Sequence, residues 1–253
     1  MKKFIAGFKT FLIAIWTILI ATIQSLFLLI YKGKASYVLP RIWHKGMCKI
    51  IGLKVQIRGT PVHEKQLIYI SNHLSYLDIP VIGSVLKASF IGKDDIAGWP
   101  IIGHLAKAQQ TAFISRTSRN AKKVANALDV MLADGKSLIL FPEGTSSTGE
   151  TVLPFKSSLF SIAQPKNLPV IPIQPFIIDL IDADGKPLTP QTRDYYAWYA
   201  DMEFAPHIWI FMQTKGATVR LTFLDVITPK EGQDRKELCR IVEEQISSGL
   251  NRP

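Results

Sequence analysis

The chain has 253 residues, 47% of them hydrophobic, and a formal net charge of +10. That length suits one large α/β domain with a real core, and the charge narrows the partners to an anionic membrane surface or a nucleic acid. The two cysteines, Cys48 and Cys239, are far apart and in no ligand-spaced cluster, which argues against a disulfide framework and a cysteine zinc site and points to a reducing compartment.

After Met1-Lys2-Lys3, the stretch Thr10–Tyr31 contains no charged residue and is long enough for a membrane helix; a buried core helix is the other reading. No small-x-small cleavage site marks it as a signal peptide. Lysines stand on both sides, at Lys2, Lys3 and Lys9 before it and Lys32 and Lys34 after it, so charge sets no orientation. A spanning helix and one that enters a single leaflet and returns both fit. Tyr37–Ile51 places Val38, Ile42, Trp43 and Ile50 against Arg41, Lys45 and Lys49, the pattern of a basic amphipathic helix at an interface or of an ordinary surface helix. Residues 1–51 are therefore expected to anchor the chain and residues 52–253 to form the main domain. The basic residues flank apolar stretches rather than forming one arm, which favours membrane over nucleic acid.

Gly52–Gly59 alternates at period two and predicts a strand. Leu67–Ser71 predicts a second strand and Ile79–Leu86 a helix. Ser89–Gly92 is a short strand, Asp94–Lys107 a broken helix, Thr111–Ser115 a strand and Asn120–Ala133 an amphipathic helix stopped by Gly135. Ser137–Phe141 and Leu168–Ile173 predict strands, separated by a short helix at Ser157–Gln164. Asp182–Phe211 is irregular and aromatic-rich, Ala217–Leu224 a strand and Arg235–Leu250 a closing helix. This alternation predicts an α/β fold, a mainly parallel sheet flanked by helices.

Three polar clusters follow strand-like runs and would share the carboxyl edge of a parallel sheet. The first is Ser71–Asp78, read SNHLSYLD, in which His73 and Asp78 are five positions apart. A carboxylate on one imidazole nitrogen fixes the tautomer and raises the basicity of the other, which can then take a proton from a hydroxyl. A capping histidine beside a first-turn carboxylate is the structural reading of the same residues. The second cluster is Arg116, whose planar fork suits a phosphate. The third is Glu143-Gly144-Thr145, where glycine permits close backbone approach to an anion. Lys93 also follows a strand. His44, His63 and His104 read as structural or solvated, His207 as part of an aromatic cluster, Asp182–Asp184 as a turn, and Lys156 as either a site or a surface lysine.

The block Asn72–Asp78 resembles the first signature of the glycerolipid acyltransferases, the PlsC-like 1-acylglycerol-3-phosphate acyltransferase family. Thr111–Arg116, Phe141–Thr145 and Val170–Ile173 resemble its second, third and fourth blocks, in order. The resemblance implies acyl transfer from acyl-CoA or acyl-carrier protein to a lysophospholipid, an EC 2.3.1 activity. His73 and Asp78 would be the catalytic pair, and Asn72, Lys93, Arg116, Glu143, Gly144 and Thr145 would bind substrate. It implies no metal or cofactor, no nucleic-acid partner, and a site on the cytoplasmic side of an inner membrane. Ser146-Ser147 stands where many members carry arginine. The stretch Ser146–Leu159, with Tyr199–Met202 and Pro206–Trp209, is similar to a bacterial subgroup that includes enzymes resembling lyso-ornithine lipid acyltransferases. The implied acceptors are 1-acyl-sn-glycerol-3-phosphate and, alternatively, lyso-ornithine lipid. An idle lipid-binding protein on the same fold is the rival from another class.

Overall fold

A computed structural model describes residues 1–30, 36–114, 128–165 and 168–250. Their sheet has seven strands: β1 (Leu53–Arg58), β2 (Ile68–Ile70), β3 (Ser89–Lys93), β4 (Ala112–Ile114), β5 (Leu138–Leu140), β6 (Ile173–Ala183) and β7 (Ala217–Phe223), in spatial order β1-β7-β6-β2-β5-β3-β4. From β6 to β4 every pairing is parallel. The β6–β7 pair is antiparallel, so β7 and its parallel neighbour β1 run the other way. The sheet is thus mixed, with the mainly parallel part carrying the motif.

β2 and β5 are short because they need only reach across a core buried on both faces. Leu67 and Tyr69 point to one side, Ile68 and Ile70 to the other, and all are at most 2% exposed. The first face packs against α2 (Val38–Ile51) and α3 (Asp78–Val85). The second packs against α7 (Arg235–Leu250), which buries Leu238, Val242, Ile246 and Leu250 on one stripe.

Several expectations shift. The expected strand at Leu168–Ile173 begins only at Ile173 and runs on to Ala183, since Pro169 and Pro172 have no N–H for a ladder. The segment expected to be irregular, Asp182–Phe211, contains a helical turn, α5 (Pro190–Arg193), and a helix, α6 (Phe204–Met212). Asp94–Lys107 is broken as expected, into a 3-10 segment at Asp94–Gly98 and α4 (Ile102–Ala108). Ser157–Ala163 is also 3-10. Of the Asn120–Ala133 helix, only 128–133 falls within the described residues, and it is helical.

The apolar N-terminus is one helix, α1 (Lys2–Ile30), 29 residues long and apolar enough to cross a membrane. One stripe of it is docked on the rest of the protein. The Lys9 ammonium donates to the Ile51 and Thr214 carbonyls at 3.3 and 2.9 Å, and Gln24 donates to those of Ser36 and Ala108. Between them the Trp16 indole donates to the Trp43 carbonyl, and the Trp43 indole to Thr17. Lys9, Trp16, Thr17 and Gln24 recur about every seven residues, two turns of the helix, so they share a face. The opposite face, with Phe4, Phe8, Phe11, Ile18 and Leu26, is exposed. Ala6, Cys48 and Ile51 belong to the same core cluster as the sheet, so packing continues across the 51/52 junction.

Gly46 leaves room for the Trp16 ring; a Cβ there would collide with the indole. Gly46→Leu is expected to lift α1 off α2. Limited proteolysis in detergent should then cleave within residues 1–30 at least tenfold faster than in wild type. An unchanged cleavage rate would show that the Trp16 contact does not hold the helix.

Candidate active site

Strand β2 ends at Ile70 and α3 begins at Asp78, so the intervening turn lies at the carboxyl edge of the parallel strands. Asp78 is the first residue of α3, where a carboxylate also meets the positive end of the helix. It is fully buried and accepts four hydrogen bonds. Its Oδ2 takes the His73 ring at Nδ1 (2.7 Å) and the backbone amides of Leu74 (2.8 Å) and Ser75 (3.1 Å); its Oδ1 takes the Tyr196 hydroxyl (2.8 Å). An acceptor so surrounded is ionised, so Nδ1 carries the ring proton and Nε2 presents its lone pair. Phe141 stacks flat on the ring at 4.1 Å between centroids and fixes its plane. An imidazole held this way can take a proton at Nε2, and Asp78 would stabilise the resulting cation.

Later parts of the chain strap this turn down. Ser147 N–H donates to the His73 carbonyl, and Trp198 N–H to that of Leu74. Ser146, 8% exposed, donates its hydroxyl to the Trp198 carbonyl. Arg193 donates to the Thr148 carbonyl at 3.0 Å. Ser146 therefore faces inward, and an arginine in its place could not keep that hydroxyl contact.

Glu143, Gly144 and Thr145 follow β5 and reach the same edge as His73. Gly144 has φ +70°, and a Cβ there would collide with the Lys156 ammonium, which lies against the turn. Lys156, although exposed, thus lies at the rim of the site. Glu143 is 3% exposed; its Oε1 accepts from Leu153 N–H at 3.4 Å. Burial pushes its pKa up to about 8, with the Asp78 charge adding to the shift and the amides of Leu153 and His73 opposing it. Lys93 ends β3 at that edge, in register with Ile114 on β4, and is exposed. Arg116 lies outside the described residues.

Asn72 differs from the expected substrate contact. It is 1% exposed; its amide nitrogen donates to the Ile178 carbonyl (2.9 Å) and its amide oxygen accepts from Ile178 N–H (2.8 Å). It extends the β2–β6 ladder with a side chain that is buried beneath the turn. His207 belongs to the aromatic cluster as expected. Its Nδ1 accepts from the Tyr76 hydroxyl at 2.7 Å, and Nε2–H faces the Asp194 and Ala197 carbonyls. Burial keeps it neutral by lowering its pKa. Tyr196 was not foreseen, although the run Tyr195-Tyr196-Ala197-Trp198-Tyr199 marks a segment too aromatic for a solvated loop.

Residues 54–175 match the Acyltransferase family model. A lyso-ornithine lipid O-acyltransferase of Rhizobium meliloti is 33% identical over 218 residues, 84% of this chain and 75% of the relative. A 1-acyl-sn-glycerol-3-phosphate acyltransferase of Neisseria meningitidis is 32% identical over 197 residues, 78% of this chain and 73% of that one. The chain belongs to the PlsC-like acyltransferase family. The fold agrees with the crystal structure of the 1-acyl-sn-glycerophosphate acyltransferase PlsC from Thermotoga maritima, with a TM-score of 0.71 at 16% identity, covering 98% of this chain and 95% of that one. The protein is accordingly an acyltransferase, and its mixed sheet flanked by helices is the fold of that neighbour.

Two changes test the electrostatics. The folded-state pKa of Glu143 lies above the unfolded value, so its burial destabilises increasingly as pH rises from about 4.5 to about 8. The thermal midpoint of Glu143→Gln minus that of wild type should therefore grow over this interval; a constant gap would mean Glu143 is not held neutral. Tyr196→Phe removes one of the four donors to Asp78 and loosens the carboxylate that orients the His73 ring. We expect kcat to fall about tenfold with KM nearly unchanged. A stability loss with unchanged kcat would reduce Tyr196 to a packing role.

Proposed function

We propose that the protein transfers an acyl chain from a thioester, acyl-CoA or acyl-carrier protein, to the free hydroxyl of a lysolipid at a membrane surface. The observation that carries this reading is the His73–Asp78 pair, with Nε2 without a hydrogen-bond partner among the described residues. In the proposed reaction, Nε2 takes the acceptor hydroxyl proton as that oxygen attacks the thioester carbonyl. The tetrahedral intermediate collapses with loss of thiolate, and the imidazolium returns the proton to sulfur. The products are an ester and a free thiol, and no metal or cofactor enters the step. Asp78 holds the tautomer and balances the imidazolium.

For the acceptor we favour lyso-ornithine lipid, which offers a hydroxyl and no phosphate. Relatives of that name cover most of this chain, and Ser146 supplies no cation. The second reading is 1-acyl-sn-glycerol-3-phosphate, supported by Lys156 lying against the Gly144 turn and by relatives of that name. In it Lys156, Arg116, Lys93 and Thr145 are the phosphate contacts. The exposed apolar face of α1 is proposed to lie in one leaflet of the inner membrane, on the cytoplasmic side. Its polar contacts from Lys9 to Gln24 cover about 22 Å of helix at 1.5 Å per residue, and a helix docked over that length cannot stand across a bilayer apart from its domain.

His73→Ala should abolish nearly all turnover in a protein that remains folded, and Asp78→Asn should cost about 10²–10⁴ in kcat. The assay offers lyso-ornithine lipid and 1-acyl-sn-glycerol-3-phosphate separately, with labelled acyl-CoA and acyl-carrier protein. Near-wild-type turnover by purified His73→Ala would overturn the base assignment. A kcat/KM at least tenfold higher for the phosphorylated acceptor would select the second reading.

A further inference from the structure

A cavity of about 200 Å³ opens at the other end of the sheet. Its walls include Ser137, just before β5, and Tyr37, whose hydroxyl bonds to Ser89 at the start of β3 at 2.6 Å. His73 follows the opposite end of β2, three residues beyond Ile70. The cavity and the His73 turn thus lie toward opposite ends of the parallel strands.

The lining is cationic. Arg41 from α2, Lys87 after α3 and Lys136 before β5 all border it, together with His63 from the β1–β2 connection. Arg41 donates its Nε to the Ser84 carbonyl at 3.1 Å, which aims the guanidinium and leaves its two terminal nitrogens as donors. Two carboxylates are near. Asp134 is 3.8 Å from Lys136, and Glu64 acts on His63. Among the described residues neither Arg41 nor Lys87 forms an ion pair. Their charges converge on one place: after burial, these two cations are what lower the His63 pKa.

The floor is built rather than accidental. Tyr37 and Tyr69 are 3% and 2% exposed, and Tyr69 donates its hydroxyl to the Val62 carbonyl. Gln66 donates to the Leu132 and Lys136 carbonyls, and Ser137 accepts from Leu67 N–H. These bonds fix the backbone from which Lys136 projects. A planar donor fork, two ammonium groups and a tyrosine–serine floor form a receptor for a tetrahedral oxyanion.

We propose that this cavity binds a phosphate group, carried by a lipid headgroup or free in solution. Its volume exceeds that of a phosphate ion and admits an ester. The headgroup source is supported by α2, where Val38 and Ile42, 42% and 40% exposed, flank Arg41. A neighbouring groove along the same helix is lined by Lys45, Lys49, Lys54 and Lys215. Occupation would tie α2 and the 132–137 turn together at a point remote from the chemistry.

The test uses the full-length protein in zwitterionic detergent, with inorganic phosphate as the first probe and chloride at matched ionic strength as the reference. Phosphate should raise the thermal midpoint of wild type in a saturable way. Lys87→Ala and Arg41→Gln should each weaken the apparent affinity about tenfold. Lys230→Ala, on an exposed loop, should not. Arg41→Lys, which keeps the charge, should bind at an intermediate level and shows that the fold tolerates change there. The second probe is sedimentation with phosphatidylcholine vesicles with and without phosphatidic acid. If headgroups are the ligand, the preference for phosphatidic acid falls in Lys87→Ala and free phosphate competes with it. If the ligand is soluble, only the thermal effect responds. Acyl transfer by Lys87→Ala to detergent-dispersed acceptor should match wild type. No phosphate effect in wild type, or equal losses in Lys87→Ala and Lys230→Ala, would overturn the proposal, because the attraction would then be generic to a basic protein.

Discussion

The structure depends on keeping one carboxylate charged in a dry place. Asp78 is out of reach of solvent, and an ionised group there persists only if its lone pairs are satisfied. Two donors come from the backbone of its own turn, one from the histidine it orients, and one from a tyrosine 118 residues away. Each donor fixes something. The Leu74 and Ser75 amides force the chain to turn between β2 and α3. Tyr196 pulls the segment after α5 across the sheet edge, where Trp198 and Ser146 lock it. What appears as a sheet edge with loops is a shell of donors built around a single anion.

The same accounting explains Asn72. A strand that stops at Ile70 would leave the backbone of Ile178 without partners on that side. An asparagine carboxamide offers one donor and one acceptor, as a peptide group does, and fills both roles. Its place beside His73 in the sequence thus reflects where the strand runs out. Glu143 is the opposite case, a carboxyl with one weak donor, which burial drives toward its neutral form.

Much of this was legible in the chain. The period-two and fully apolar runs located β1, β2, β3, β4, β5 and β7, because each is short and buried and carries little besides its hydrophobic pattern. The spacing of His73 and Asp78 put them in contact once α3 began at Asp78. Strand direction was less visible: nothing in Ala217–Phe223 states that it returns antiparallel to β6. The start of β6 was misplaced because Leu168, Val170 and Ile171 have strand-like side chains on a backbone stripped of donors by Pro169 and Pro172. The role of Tyr196 depends on a tertiary contact that no local pattern encodes. The docking stripe on α1 was hidden by its own composition, since Lys9, Trp16 and Gln24 interrupt an apolar stretch without altering its overall character.

The long reach of Tyr196 bears on how the molecule is made. Ribosomes add about 5–20 residues per second, so Tyr196 emerges on the order of ten seconds after Asp78. During that interval the nascent chain holds α1, free to meet lipid, and a first half whose buried acid lacks its last donor. Native burial of that acid must wait, so the early segment has reason to remain open until the aromatic run arrives. The order of synthesis therefore favours attachment first and completion of the histidine's support last. An unfinished chain would present the apolar face of α1 before the support of His73 was complete.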